Sequence, residues 1–209
     1  MKKVVTESEI IKLAKSGVKE IFLGKDDLLT PLAIDRIKQI GVKIICASKD
    51  EQRQKRGALK IAIGSDHTGV KAKKMVVDFL KSKSFQIIDV GTFSEESVDY
   101  PDIAFNVANS IVNKECDYGI ILDATGIPSA ITANKIPGIR AATCYNEFSA
   151  RSSREHNDAN VLVLGAKSVG DESIKSIIDV WLNSNFLGDR HQRRLDKIKA
   201  IEDKYSRKS

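Results

Sequence analysis

Residues 118–122 read Tyr-Gly-Ile-Ile-Leu, and residues 161–164 read Val-Leu-Val-Leu. Runs that are apolar at consecutive positions, rather than alternate ones, fit strands covered on both faces of a parallel sheet. Working outward, Lys60–Gly64, Phe85–Val90 and Ile139–Cys144 have the same character. Helical spacing fills the intervals, near 68–83, 102–113, 129–135, 147–156 and 172–184, with a last helix near 190–205. Strands alternating with helices predict an α/β fold: a doubly wound, five-stranded parallel sheet with helices on both faces. Ligands in such sheets bind beyond the carboxyl ends of the strands, so the residues that follow each strand are the first candidates for chemistry.

Ahead of this region lies a smaller pattern. Thr6-Glu7-Ser8-Glu9 has the form of a capping box, followed by Ile10, Ile11, Leu13 and Ala14 at helical spacing and closed by Gly17. Lys19–Leu23 and Val42–Cys46 fit short strands. Thr30-Pro31 predicts a second helix start, running to Gly41. Residues 47–58, SKDEQRQKRGAL, are polar and charge-dense and are expected to be a linker. The expected organisation is a small αβ extension over 1–46, a charged linker over 47–58 and a main domain over 59–209. An extension of this size buries little surface and needs something to dock on.

Composition narrows the class. The chain has 209 residues, 42% hydrophobic and 30% charged, which is enough for one full core. It holds no apolar run long enough to span a membrane, and its N-terminus lacks the apolar stretch of a secretory signal. Three widely spaced cysteines, Cys46, Cys116 and Cys144, form neither a disulfide framework nor a zinc pattern, so a cytoplasmic location is expected. The net charge of +6 divides into +5 over residues 1–58, −3 over 59–187 and +4 over 188–209. With 6% aromatic residues and no nucleic-acid motif, the basic ends are read as a solvated linker and a solvated helix rather than a nucleic-acid surface.

Four segments hold the candidate chemistry. Gly64-Ser65-Asp66-His67-Thr68-Gly69 sets a carboxylate and an imidazole at a strand end; Asp66 could equally cap the next helix. Asp123-Ala124-Thr125-Gly126-Ile127-Pro128-Ser129 leads a strand into a helix start. That turn suits a phosphate or an oxyanion, with Asp123 as a general base or, again, as a cap. His156 and Asn157 precede the fifth strand in a dense polar run, where a lone histidine is more often structural. Arg190 and Arg194 are spaced i, i+4, so they can clamp a phosphate together or simply face solvent. No dinucleotide fingerprint or phosphate-loop motif is present.

Taken together and in order, IAIGSDHTGVKAK, IIDVGTFSEESVDYPDIA, ATGI with ITANKIPGIRAA, SAR with REHNDANVLVLGAKSVG, and GDRHQRRLDKI resemble the ribose-5-phosphate isomerase B family. That family includes the two subunits of galactose-6-phosphate isomerase. The resemblance covers residues about 59–203. It implies a Rossmann-like fold and an aldose–ketose isomerase of sugar phosphates, working through a cis-enediolate without metal, nucleotide or other cofactor. Ribose 5-phosphate and ribulose 5-phosphate are the expected pair. The resemblance assigns Asp66 and His156 to ring opening, and His67, Arg190, Arg194 and Lys167 to the phosphate. It assigns Thr125 and the amides around Gly126 to the enediolate, and Tyr100 and Asn157 to the substrate pocket. It also implies a homodimer or homotetramer whose C-terminal arginines enter the neighbouring subunit's site.

The chain departs from this pattern at the base. The family commonly has a cysteine where Asp123 stands, and a subgroup has a glutamate where Ser129 stands. Ala124 and Pro128 replace glycines, and Pro128 removes one N–H from the loop. Either Asp123 is the base, or the chain is a non-catalytic or partner-dependent subunit that binds sugar phosphate. The LDATG loop is similar to that of the galactose-6-phosphate isomerase subunit lacking the cysteine. Residues 1–46 resemble leader segments of bacterial microcompartment enzymes. This implies a docking or targeting role toward a shell or enzyme partner, set against a simple extension packed on its own enzyme. No nucleic-acid or membrane partner is expected.

Overall fold

The computed structural model describes residues 4–15, 20–23, 27–46 and 59–206. The chain divides into two compact units, Met1–Arg56 and Gly57–Ser209.

In the first unit, β1 (Val4–Val5) pairs in parallel with β3 (Leu28–Leu29), and β2 (Glu20–Leu23) pairs in parallel with β4 (Lys43–Cys46). Helices α1 (Glu7–Lys15) and α2 (Pro31–Ile40) complete it. At the start of α1 the Thr6 amide donates to the Glu9 carboxylate at 3.0 Å, which is the return arm of the capping box. The Thr6 hydroxyl faces that same carboxylate at 3.5 Å. Thr30 caps α2 through the Ala33 amide, Pro31 takes the first turn, and Gly41 closes the helix at φ 69°. Val5, Ile10, Ile21, Ala33, Ile37 and Val42 form a core of their own. Glu7 and Arg36 tie the two helices together at 3.0 Å. The two-residue strands β1 and β3 are too short to leave a periodic signal in the sequence. The expected closure of α1 at Gly17 and the expected linker over 47–58 lie outside the described residues.

In the second unit, five strands form one parallel sheet: β5 (Lys60–Ser65), β6 (Gln86–Asp89), β7 (Tyr118–Asp123), β8 (Ala141–Thr143) and β9 (Val161–Gly165). Their order is β6-β5-β7-β9-β8. The helices are α3 (Val70–Ser82), α4 (Tyr100–Val112), α5 (Ile127–Ala133), α6 (Glu147–Asn157), α7 (Asp171–Asn183) and α8 (Gln192–Ser206). Alternate strand residues serve the two faces. Ile61, Ile63, Ile120, Leu122, Leu162 and Leu164 meet α3, α6 and α7 through Val76, Leu80, Ala150, Ile174, Ile177, Ile178 and Trp181. Ala62, Ile121, Val161 and Val163 meet α4 and α5 through Ala104, Val107, Ala108, Ala130 and Ala133. This is why the central strands read as unbroken apolar runs.

From β5 the chain passes outward to β6, then crosses back to β7 on the other side of β5. The direction of winding therefore reverses between β5 and β7, and a crevice opens at their carboxyl ends. There the Asp66 amide donates to the Leu122 carbonyl at 3.1 Å. A Cβ on Gly69 would lie 2.7 Å from that same carbonyl, so only glycine lets α3 start so close to β7.

Candidate active site

Asp66 and Asp123 close the two strands that flank the crevice, and both are buried. Asp66 Oδ1 accepts the Thr68 hydroxyl at 2.6 Å and the Thr68 and Gly69 amides at 2.8 and 3.2 Å. One oxygen of this carboxylate thus caps the turn into α3. His67 follows on the same turn. Its Nδ1 accepts the Val98 amide at 3.4 Å, which leaves Nε2 as the protonated, donating nitrogen.

Asp123 is 1% exposed. Its Oδ1 accepts the Thr125 amide at 2.8 Å and also the Gly126 amide, and its Oδ2 accepts the Ser129 amide at 3.1 Å. The amides expected to wait for an enediolate are therefore turned onto the chain's own carboxylate. Gly126 sits at φ 81°, and a Cβ there would meet Thr143 at 2.8 Å and the Gly165 amide at 3.1 Å. Pro128 occupies the first turn of α5, where its missing N–H has no intrahelical partner to lose. Two buried hydroxyls at this end of the sheet, Ser65 and Ser129, have no hydrogen-bond partner among the described residues.

The ends of β8 and β9 hold the loop from the other side. The Thr143 hydroxyl donates to the Gly126 carbonyl at 2.6 Å and the Tyr145 hydroxyl to the Thr125 carbonyl at 3.0 Å. Lys167 is exposed just past β9, its amide on the Ala124 carbonyl at 3.0 Å. Tyr100 opens α4 and is 38% exposed. Asp66, His67, Tyr100, Asp123, Thr125, Gly126 and Lys167 thus all belong to the carboxyl edge of the sheet.

The remaining candidates lie at the opposite edge. His156 and Asn157 end α6, and Arg190 and Arg194 flank the start of α8, both ahead of or beyond the amino ends of the strands. Leu187 ties the segment before α8 to the Glu155 carbonyl at 3.0 Å. The sheet separates the two groups by the length of β9, about 16 Å at ~3.3 Å per residue. A single chain does not bring Asp123 and His156 together.

At the amino edge the sequence reading passed over His191. It is 4% exposed and stacks on His156, with ring centroids 4.3 Å apart and planes 3° from parallel. Arg190 Nε donates to its Nε2 at 3.3 Å, and Arg194 Nη1 lies 3.5 Å from its Nδ1. Burial pushes the His191 pKa down, and His156, Arg190 and Arg194 push the same way against Asp189. His191 and Leu195 are the buried i, i+4 pair of this helix start, a spacing that could have marked the inward face. Below the stack, Arg154 is buried and binds Asp158 at 2.9 Å, the Ala159 carbonyl at 2.7 Å and the Tyr118 hydroxyl at 2.9 Å. Arg140 holds the Asn157 carbonyl at 3.0 Å. The turn carrying His156 and Asn157 is thereby fixed on both sides.

Neither Cys116 nor Cys144 supplies the loop with a base. Burial raises the pKa of both Cys116 and Cys144, and neither lies on the Asp123 loop. Among the described residues no group of three or more His, Cys, Asp or Glu side chains is placed to hold a metal ion. No helix among them is long and apolar enough to cross a membrane.

Residues 61–198 match the family Ribose/Galactose Isomerase. Ribose-5-phosphate isomerase B of Escherichia coli is 46% identical over 143 residues, covering 68% of this chain and 96% of that protein. Among solved structures, ribose-5-phosphate isomerase B of Clostridium thermocellum is similar with a TM-score of 0.70 and 51% identity, covering 70% of this chain and 99% of that one. The enzyme from Mycoplasma genitalium with bound ribulose-5-phosphate has a TM-score of 0.67 and 41% identity, covering 70% and 97%. Residues 1–60 fall outside the family match.

Proposed function

The chain belongs to the ribose/galactose isomerase family, and from that membership we propose that it interconverts ribose 5-phosphate and ribulose 5-phosphate, with Asp123 moving the proton between C1 and C2. An aldose–ketose isomerase of sugar phosphates needs a base beside the reacting carbons and donors for the oxyanion that forms. The observation that carries the reading is the pair of buried carboxylates, Asp66 and Asp123, on the two strands bordering the crevice. Asp66 Oδ2 accepts no protein hydrogen bond among the described residues, and Asp123 Oδ2 accepts one amide where Oδ1 accepts two. A lone pair remains on each for substrate. Asp66 assists ring opening from this side, with His67 and Lys167 toward the phosphate and Tyr100 lining the pocket.

The separation of the candidates over both sheet edges supports a site shared between two copies of the chain. In a homodimer, His156, Asn157, Arg190 and Arg194 of one copy complete the site whose Asp66, Asp123 and Gly126 belong to the other. Residues 1–46, with a core of their own and exposed Val4, Leu28 and Leu32, act as a docking module toward a shell or enzyme partner.

The test is isomerisation of ribose 5-phosphate, then of six-carbon aldose phosphates, by the purified protein beside Asp123→Asn. Turnover that collapses in a folded variant upholds the reading. One observation favours a second reading, a sugar-phosphate-binding subunit that needs a partner for its base: three loop amides are already spent on Asp123. Binding without turnover by the wild type decides for it.

A further inference from the structure

We infer that Tyr145 is a positioning residue that works through one peptide unit to hold Asp123. The inference rests on Asp123 being the proton-transfer group. The Thr125 carbonyl and the Gly126 amide belong to a single planar trans peptide unit, so they point in opposite directions. Tyr145 takes one end: its hydroxyl donates to the Thr125 carbonyl at 3.0 Å. Asp123 takes the other, because the Gly126 amide donates to its Oδ1. Hydroxyl, peptide and carboxylate therefore form one continuous hydrogen-bonded line from β8 to β7. A donor on the carbonyl polarises the unit and makes its N–H a stronger donor. The same bond stops the unit from rotating, which would swing the amide away from the carboxylate.

The neighbouring unit has its own clamp. The Thr143 hydroxyl holds the Gly126 carbonyl at 2.6 Å. The Ile127 amide of that unit points to the Thr125 hydroxyl at 3.3 Å, not to Asp123. The two clamps thus act on different amides, and only that of Tyr145 reaches Asp123. Tyr145 is 46% exposed and belongs to neither core cluster of its unit. An exposed neutral hydrogen bond contributes little to global stability, so removing the hydroxyl leaves the fold standing and frees the peptide unit.

Tyr145→Phe and Thr143→Val in the full chain separate the two clamps. The readouts are the amide proton shifts of Gly126 and Ile127, from NMR of the free protein, and kcat with KM for ribose 5-phosphate. Tyr145→Phe is expected to move the Gly126 proton upfield and leave Ile127 in place, and to lower kcat about tenfold with KM held within about twofold. Thr143→Val is expected to move Ile127 and leave Gly126. A Gly126 proton that does not respond to Tyr145→Phe overturns the link, and so does a shifted proton with unchanged kcat. The shift is read without turnover, so a wild type that fails to isomerise overturns the proposed activity and not the Tyr145 link.

Discussion

His156 and His191 lie face to face 4.3 Å apart, one ending α6 and the other at the threshold of α8. Burial, with the arginines on both sides of His191, opposes a proton on its ring and outweighs the opposite pull of Asp189. The His191 pKa falls below its ordinary 6.5 in the folded chain. The unfolded chain then binds more protons as pH falls, so stability is complete above pH 6.5 and declines below it. His191→Gln is expected to flatten the dependence of Tm on pH between about 7 and 5. A wild type and variant with parallel Tm profiles over that window would refute the assignment.

Arg154 fixes the turn that presents His156. Its guanidinium stacks 4.7 Å from the Tyr118 ring centroid and 5.2 Å from that of Trp181 while binding Asp158 and the Ala159 carbonyl. Arg154→Ala leaves a buried carbonyl and a phenol without their donor. The expected loss is about 3 kcal/mol in urea unfolding. Arg154→Lys should recover only part of it, since an ammonium cannot reproduce the planar fork.

Asp123 is both the proposed base and the cap of its loop, and one substitution touches both roles. Asp123→Asn sets an NH2 group against amides that now donate to oxygen, so about 1–3 kcal/mol of stability should go with it. The catalytic loss should be far larger, ~10²–10⁴-fold in kcat, if the carboxylate moves the proton. A drop in Tm without a drop in kcat would leave Asp123 as a cap only. Circular dichroism and kcat measured on the same preparation make the distinction.

Burial holds Cys144 and Cys116 as neutral thiols. Cys144 is packed with Ser153, whose hydroxyl also receives the Trp181 indole N–H at 3.1 Å. In a Cys46→Ala variant, a thiol-specific reagent should react with the native protein at least ~100-fold more slowly than with the protein in denaturant, because only the exposed thiolate attacks. Fast labelling of the folded variant would mean that one of these thiols is open to solvent.

The sheet was legible because its strands are short apolar runs bounded by polar turns, and a double-faced strand needs nothing else. The crevice was legible for the same reason: Asp66 and Asp123 follow such runs directly. What the residues did not disclose was direction. Whether Asp123 faces a substrate or its own loop depends on Gly126 at φ 81° and on the clamp from Tyr145, which is distant in sequence. In the run Gly188–Arg194 three arginines dominate, and the signal of His191 is only its i, i+4 spacing to Leu195. That the candidates lie at two edges of the sheet follows from chain order, since His156 precedes a strand while Asp123 ends one. A list of candidate residues without edges hides that difference.

That split makes a mixing experiment decisive. Asp123→Asn disables the carboxyl-edge half of a site and Arg190→Ala the amino-edge half. Each variant alone should be inactive or nearly so. If sites form between two chains, co-refolding equal amounts yields heterodimers with one site damaged twice and the other intact. Random pairing makes half of the dimers mixed, so activity should return to about a quarter of the wild-type value. Sites formed within one chain would give no recovery at all, because every chain in the mixture carries a lesion. Recovery near a quarter that disappears when the two variants are mixed without exchange of subunits would assign the two edges to different copies.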